Sequence, residues 1–154
     1  MVAKMSPGQF PLDKILRVMR PDGAHPRVGP TARELGVRVP QDVELDHRGQ
    51  AIPGKGMSVA PTLCELPIHR IPRRLAMRQP GAAGNNEDHC FRLGKLPYLP
   101  GPVNEVLALR PDKLPRPDGR RHGQIEPAAP MQVEALQQAL AETQASWVID
   151  ETEP

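Results

Sequence analysis

Aromatic residues are scarce in this 154-residue chain: Phe10, Phe91, Tyr98 and Trp147 are the full set. A sequence so poor in flat rings offers no row of stacking platforms for single-stranded bases. Cysteine is scarce as well. Cys64 and Cys90 cannot make a disulfide framework, so a reducing cytoplasm is the expected compartment. No apolar window approaches the ~20 residues that cross a bilayer, and no membrane partner is expected. Residues 1–10 lack the continuous apolar core of a secretory leader. If the protein is delivered to another cell, a leaderless secretion route is implied. Nor is there a large charge of one sign. Twenty basic side chains against 18 acidic ones give a net charge of +2, too mild to argue for nucleic acid by itself.

What the chain has is proline, 20 residues of it, alongside 13 glycines. Proline is excluded from helix interiors and central strands, so elements must be short and their connections stiff. Apolar residues make up 38%, and with the glycines the total approaches the globular average. One domain over residues 1–154 is expected, with 1–11 as a loose lead-in and 151–154 as a frayed tail. A chain of this length buries roughly two-thirds of its surface.

Lys14 to Arg20 is the first strong apolar run, halted by the turn signal Pro21-Asp22-Gly23. Its brevity favours a strand over an amphipathic helix spanning Leu12 to Met19. Thr31 with Glu34 three residues on suggests a short helical turn that Gly36 ends. Pro40 to Gly49 suggests a short polar strand and turn. In Gly54-Lys55-Gly56-Met57-Ser58-Val59-Ala60-Pro61, two glycines lead into an apolar strand with one hydroxyl. Further strands are expected at Asp88–Gly94, in the apolar segment Val103–Arg110, at Arg121–Pro127 and at Trp147–Ile149. Residues 81–86 and the polar, proline-rich stretch 111–119 form loops. Met131 to Ala145 has helical spacing through Val133, Leu136 and Leu140. The pattern predicts an α+β domain: a small, mainly antiparallel sheet of short strands, proline-rich loops and one long helix near the C-terminus.

Several chemistries can be weighed on these elements. Cys64, His69, His89 and Cys90 lack the spacing of a zinc knuckle or finger, and His89 and Cys90 on a strand point to opposite faces. No metal site is expected. Ser58 lacks a nucleophile-elbow context, and any of five histidines could be offered as its base, so it is set aside as a nucleophile. The arginines of residues 69–78 could grip a phosphate-bearing ligand or form a solvated face. Gln124 and Glu126, two apart on a strand, share a face.

The order Arg17, Ser58 in a strand, then Gln124-Ile125-Glu126 resembles that of arginine–serine–glutamate ADP-ribosyltransferases. The wider set is Ile15–Val18, Gly56–Pro61, Val106–Leu109, His122–Ala128 and Met131 with its following helix. It is similar to the compact ADP-ribosyltransferase-like toxin family related to type VI secretion effectors and found also in fungi. The resemblance implies an ADP-ribosyltransferase-like fold and NAD as co-substrate. It implies that Arg17 holds the pyrophosphate, with Arg20 as the alternative. It further implies that Ser58 supports the catalytic strand, Gln124 orients the acceptor, and Glu126 binds the nicotinamide ribose and stabilises an oxocarbenium-like transition state. Members of this toxin group can carry Gln where Glu126 stands and keep a histidine at the place of His122, which makes His122 a second catalytic candidate. The implied protein is a toxin or effector, with a neutralising immunity protein as partner. The alternative is a non-enzymatic module docking an acidic partner through the arginines of 69–78.

Overall fold

The computed structural model describes residues 13–152. Its eleven short strands are β1 (Lys14–Met19), β2 (Pro21–Asp22), β3 (His25–Pro26), β4 (Glu44–Leu45), β5 (Ala51–Ile52), β6 (Met57–Val59), β7 (His89–Pro97), β8 (Gly101–Pro102), β9 (Leu107–Pro111), β10 (Gly123–Pro127) and β11 (Trp147–Ile149). One α-helix, α1 (Val133–Ala141), precedes β11. The domain is therefore α+β, and every named strand pairing is antiparallel. The strands form two main sheets rather than one. A three-stranded sheet has the order β1-β7-β11, and a four-stranded sheet the order β6-β10-β9-β8. The hairpins β2-β3 and β4-β5 stand apart as two-stranded ribbons. β1 and β6 join the main sheets through a single bridge, Leu16 with Ala60, in which each N–H donates to the other's carbonyl at 2.9 Å.

The two sheets differ in what covers them, and their sequences show why. Apart from Lys14 and Arg17, β1 is apolar without alternation because both of its faces are buried. Ile15 and Met19 pack in the main core with Phe91, Leu93, Leu136, Leu140 and Trp147. Leu16 and Val18 pack in a second core with Cys90, Leu63, Leu66, Ile71 and Leu75. The four-stranded sheet alternates instead. Met57, Val59, Leu107, Leu109 and Ile125 enter the main core, while Ser58, Arg110, Gln124 and Glu126 occupy the intervening positions. Burial also raises the Cys90 thiol well above its ordinary pKa.

Several expectations need adjustment. β7 runs on to Pro97, past Gly94, because the register with β1 slips between Lys14 and Leu16. Gly94, at φ +50°, is the residue that such a bulge uses. Residues 31–36 form a single hydrogen-bonded turn, with Glu34 N–H donating to Thr31 O at 3.1 Å, and no helix. Leu35 N–H donates to Arg27 O at 2.8 Å, Val28 bridges Leu35, and the Glu34 carboxylate lies 3.2 Å from Arg27. Thr31 closes only a local turn, accepting from Arg33 N–H at 3.3 Å. The helix stops at Ala141, with a 3-10 turn at Gln144–Ser146. Thr143 Oγ1 donates to Leu140 O at 2.6 Å and accepts from Trp147 Nε1 at 2.9 Å, fixing that exit. The acidic end is anchored at its first two residues. Asp150 accepts from Lys14 at 2.7 Å and lies 3.1 Å from Arg92, and Glu151 accepts from Arg74 at 2.7 Å. Burial alone would raise the Asp150 carboxyl, but Lys14 and Thr152 outweigh it and hold it at about 2. The lead-in expected for residues 1–11 lies outside the described residues.

The loop before β6 lies directly on β10. A Cβ at Gly56 would run into the Ile125 carbonyl and the Glu126 backbone. Glu126 fastens the same loop, its Oε2 accepting from Gly54 N–H at 2.6 Å and its Oε1 from Arg110 Nε at 2.8 Å. Because backbone rather than a flexible side chain blocks the space, Gly56→Ala is expected to cost about 1–3 kcal/mol. Thermal denaturation should show a melting point several degrees lower; an unchanged melting point would mean that the loop is free to lift from β10.

Candidate functional site: a basic cleft with a Ser–His–Asp chain

A cleft of about 250 Å³ opens at the seam where β1 meets β6. Five arginines (17, 38, 70, 116 and 120) line it against two carboxylates, Asp42 and Glu65; His69, His122 and Ser58 complete its polar wall. The carboxylates are already committed. Asp42 takes Arg38 through two bonds of 2.9 and 3.0 Å, and Glu65 takes Arg121 through two of 2.8 Å. Arg120 pairs with Asp118 at 2.6 Å. Among the described residues neither Arg70 nor Arg116 has an ion pair or a side-chain hydrogen bond. The cleft therefore carries positive charge unmatched by fixed acid.

Arg17 is its deepest cation, 6% exposed. The guanidinium donates from Nη1 to Ser58 O at 2.9 Å, from Nη2 to Glu34 O at 3.0 Å and Ala32 O at 3.2 Å, and from Nε to Glu34 O at 3.3 Å. All four contacts end on carbonyls, and none on a carboxylate. Burial lowers its pKa to about 10, against the pull of Asp42. At neutral pH the group is still charged. It clamps the 32–34 turn to β6 and contributes positive potential to the cleft wall.

Beside it, Ser58, His122 and Asp112 form a continuous chain. His122 Nδ1 lies 2.7 Å from Asp112 Oδ2, and His122 Nε2 lies 3.1 Å from Ser58 Oγ. A carboxylate facing Nδ1 selects the tautomer with the proton there, which leaves Nε2 as an acceptor for the serine hydroxyl. The backbone assembles the three. β10 pairs with β9 from Pro127–Leu107 to Gly123–Pro111, and the next rung sets His122 opposite Asp112, with Asp112 N–H donating to His122 O at 2.8 Å. On the other side Gln124 pairs with Ser58, so the exposed serine of β6 stands next to the residues at the head of β10. Gln124 Nε2 makes a long 3.4 Å contact to Asp112 Oδ1. Gly123 allows this approach, since a Cβ there would meet the Tyr98 ring. Burial lowers the His122 pKa below 6.5, only partly offset by the Asp112 hydrogen bond, with Arg116 and Arg120 lowering it further.

Of the residues singled out in the sequence, Arg17, Ser58 and His122 meet in this cleft, and Gln124 touches it through Asp112. Arg20 does not line it; its backbone N–H donates to Arg33 O at 2.6 Å. Glu126 is buried and both of its oxygens are used to fasten the loop before β6, outside the cleft lining. The 69–78 segment divides. Arg70 faces the cleft, whereas Arg74 and Arg78 bind Glu151 at 2.7 and 2.6 Å. Among the described residues no group of three or more His, Cys, Asp or Glu side chains could hold a metal ion, and no helix is long and apolar enough to cross a membrane. Asp112 escaped the sequence reading because it sits in a proline-rich loop, yet the β9–β10 register alone would have placed it opposite His122.

Comparison of the chain with protein-family models, with curated proteins and with solved structures finds no match in any of the three.

The His122 ring should titrate below 6.5, and Asp112→Asn should move it lower still by removing the one strong contact that favours the protonated form. A depressed histidine pKa means that the unfolded chain binds the extra proton, so this residue's contribution to stability declines as pH falls through 6.5. NMR titration of the ring protons measures the pKa in the wild type and in Asp112→Asn; a wild-type value above 6.5 would contradict the half-buried, neutral imidazole.

Proposed function

We propose that this chain is an effector- or toxin-type domain that binds NAD in the basic cleft and breaks its nicotinamide–ribose bond, passing ADP-ribose to an acceptor. The observation that carries the reading is convergence. Arg17, Ser58 and His122 are far apart in sequence and belong to the motifs of the ADP-ribosyltransferase resemblance, and they line one cleft with surplus positive charge. A dinucleotide brings two adjacent phosphates, and guanidinium groups pair with phosphate oxygens in fork geometry. Arg70 and Arg116, free of acidic partners, suit that role. Arg17 has spent its hydrogen bonds on carbonyls, so its part is long-range charge and the shaping of the cleft.

The reading departs from the resemblance over the glutamate. Glu126 anchors the loop before β6, and the working polar groups of the cleft are His122 with Asp112 behind it. A neutral imidazole whose acceptor nitrogen faces a hydroxyl can take the proton of an attacking hydroxyl as the nicotinamide leaves. Docking of an acidic partner through 69–78 has less support, because Arg74 and Arg78 are occupied by the chain's own C-terminal end.

Incubation of the full chain with NAD should release nicotinamide, measured by chromatography. His122→Ala should lower the rate by about 100-fold or more, whereas Glu126→Gln should lower the melting point and change the rate by less than about tenfold. Loss of turnover in Glu126→Gln with retention in His122→Ala would reverse the assignment. No release by the wild type would end the NAD reading.

A further inference from the structure

We propose that Ser58 Oγ is the nucleophile of the cleft, with His122 as its base and Asp112 as the positioning residue behind the base. The geometry has the parts that nucleophilic catalysis by a hydroxyl requires. The hydroxyl is exposed at the cleft surface, an imidazole nitrogen lies 3.1 Å from it, and a carboxylate lies 2.7 Å from the imidazole's other nitrogen. Ser58 stands in the middle of β6, Asp112 directly follows β9 and His122 directly precedes β10, so their order along the chain is serine, aspartate, histidine. Local sequence proximity does not create the arrangement. The two sheet registers do.

Other roles for the chain of contacts are less well matched. Ser58 is exposed on β6 and fills no core space. Asp112 has a second contact, from Gln124, that limits its rotation. A buried network serving stability alone would pair the nearby arginines with Asp112; they lie in the cleft instead, and none of them makes an ion pair with it. The same cations select an electrophile that carries phosphate.

The nucleophile inference stands on its own geometry; its electrophile rests on the NAD reading. In that case the bond from C1′ of the nicotinamide ribose to the ring nitrogen breaks, and its electron pair leaves with neutral nicotinamide. The Ser58 Oγ–C1′ bond forms, and the Oγ proton passes to His122 Nε2. The positive charge of the nicotinamidium is thereby replaced by that of the imidazolium. The product is an ADP-ribosyl serine, from which water or an acceptor hydroxyl can take the sugar.

Two probes of the full-length chain separate the two ideas. A fluorophosphonate tests nucleophilicity alone, since Oγ attack on phosphorus expels fluoride whatever the natural substrate is. Peptide mass spectrometry should find the phosphonyl group on Ser58, with labelling at least tenfold slower in His122→Ala and in Asp112→Asn, and absent in Ser58→Ala. Folding of each variant is checked by circular dichroism, and Ser58→Thr should retain part of the labelling. NAD is the second probe: acid-quenched samples should carry one ADP-ribosyl group on the Ser58 peptide. Phosphonyl labelling at Ser58 without nicotinamide release supports the nucleophile and sinks the NAD reading. Nicotinamide release that Ser58→Ala leaves unchanged, with no phosphonyl label on Ser58, overturns the nucleophile and leaves the NAD reading standing.

Discussion

The buried guanidinium of Arg17 is the constraint on which the rest of the site depends. A cation with 6% exposure must be compensated, and here the compensation comes from backbone carbonyls of two separate segments, the 32–34 turn and Ser58. That choice has two consequences. It welds the turn and β6 to β1, so the cleft wall is built from three parts of the chain held by one side chain. It also leaves the charge itself without an opposite charge in contact, so the potential of the guanidinium reaches into the cleft.

The outer wall completes this arrangement. Asp42 and Glu65, the acids of the lining, are held by Arg38 and Arg121, and among the described residues Arg70 and Arg116 have no acidic partner. Burial lowers the pKa of His122 as it does that of Arg17, which favours the neutral imidazole. The cleft thus sets several arginines beside a half-buried imidazole whose pKa lies below the ordinary value. Glu126 belongs to a different part of the design. By tying Arg110 and the Gly54 N–H to β10 it holds the glycine loop down and so fixes the strand that carries Ser58.

Much of this was legible in the residues, and the losses have definite causes. The short, mainly apolar run of β1, interrupted by Arg17, announced a strand, and the lack of alternation among its apolar residues is explained by cores on both faces. Alternation at Met57-Ser58-Val59 and Gln124-Ile125-Glu126 marked both segments as strands, while the pairing of Ser58 with Gln124 came only from the register of β6 with β10. Thr31 and Glu34 satisfied the local rule for a helix start, but the parallel bridge between Val28 and Leu35 stops the turn from becoming a helix. Ser58 was set aside as a nucleophile because five histidines could have served as its base; only strand register, a non-local property, picks out His122 and brings Asp112 behind it. Glu126 and Arg74 show the opposite failure. Their types suggested chemistry, while the partners that occupy them lie elsewhere in the chain, Arg110 and Gly54 at 16 and 72 residues from Glu126 and Glu151 at 77 from Arg74.

The central claim is that the seam between the two sheets is an anion-binding cleft with His122 as its reporter. Titration of ADP-ribose into the full-length protein, followed through the His122 ring resonances, tests it most directly. The account predicts a saturable shift that weakens as salt is raised and is lost when Arg70 and Arg116 are both changed to alanine. An unmoved His122 at about millimolar ADP-ribose, in a folded protein at low salt, would contradict it.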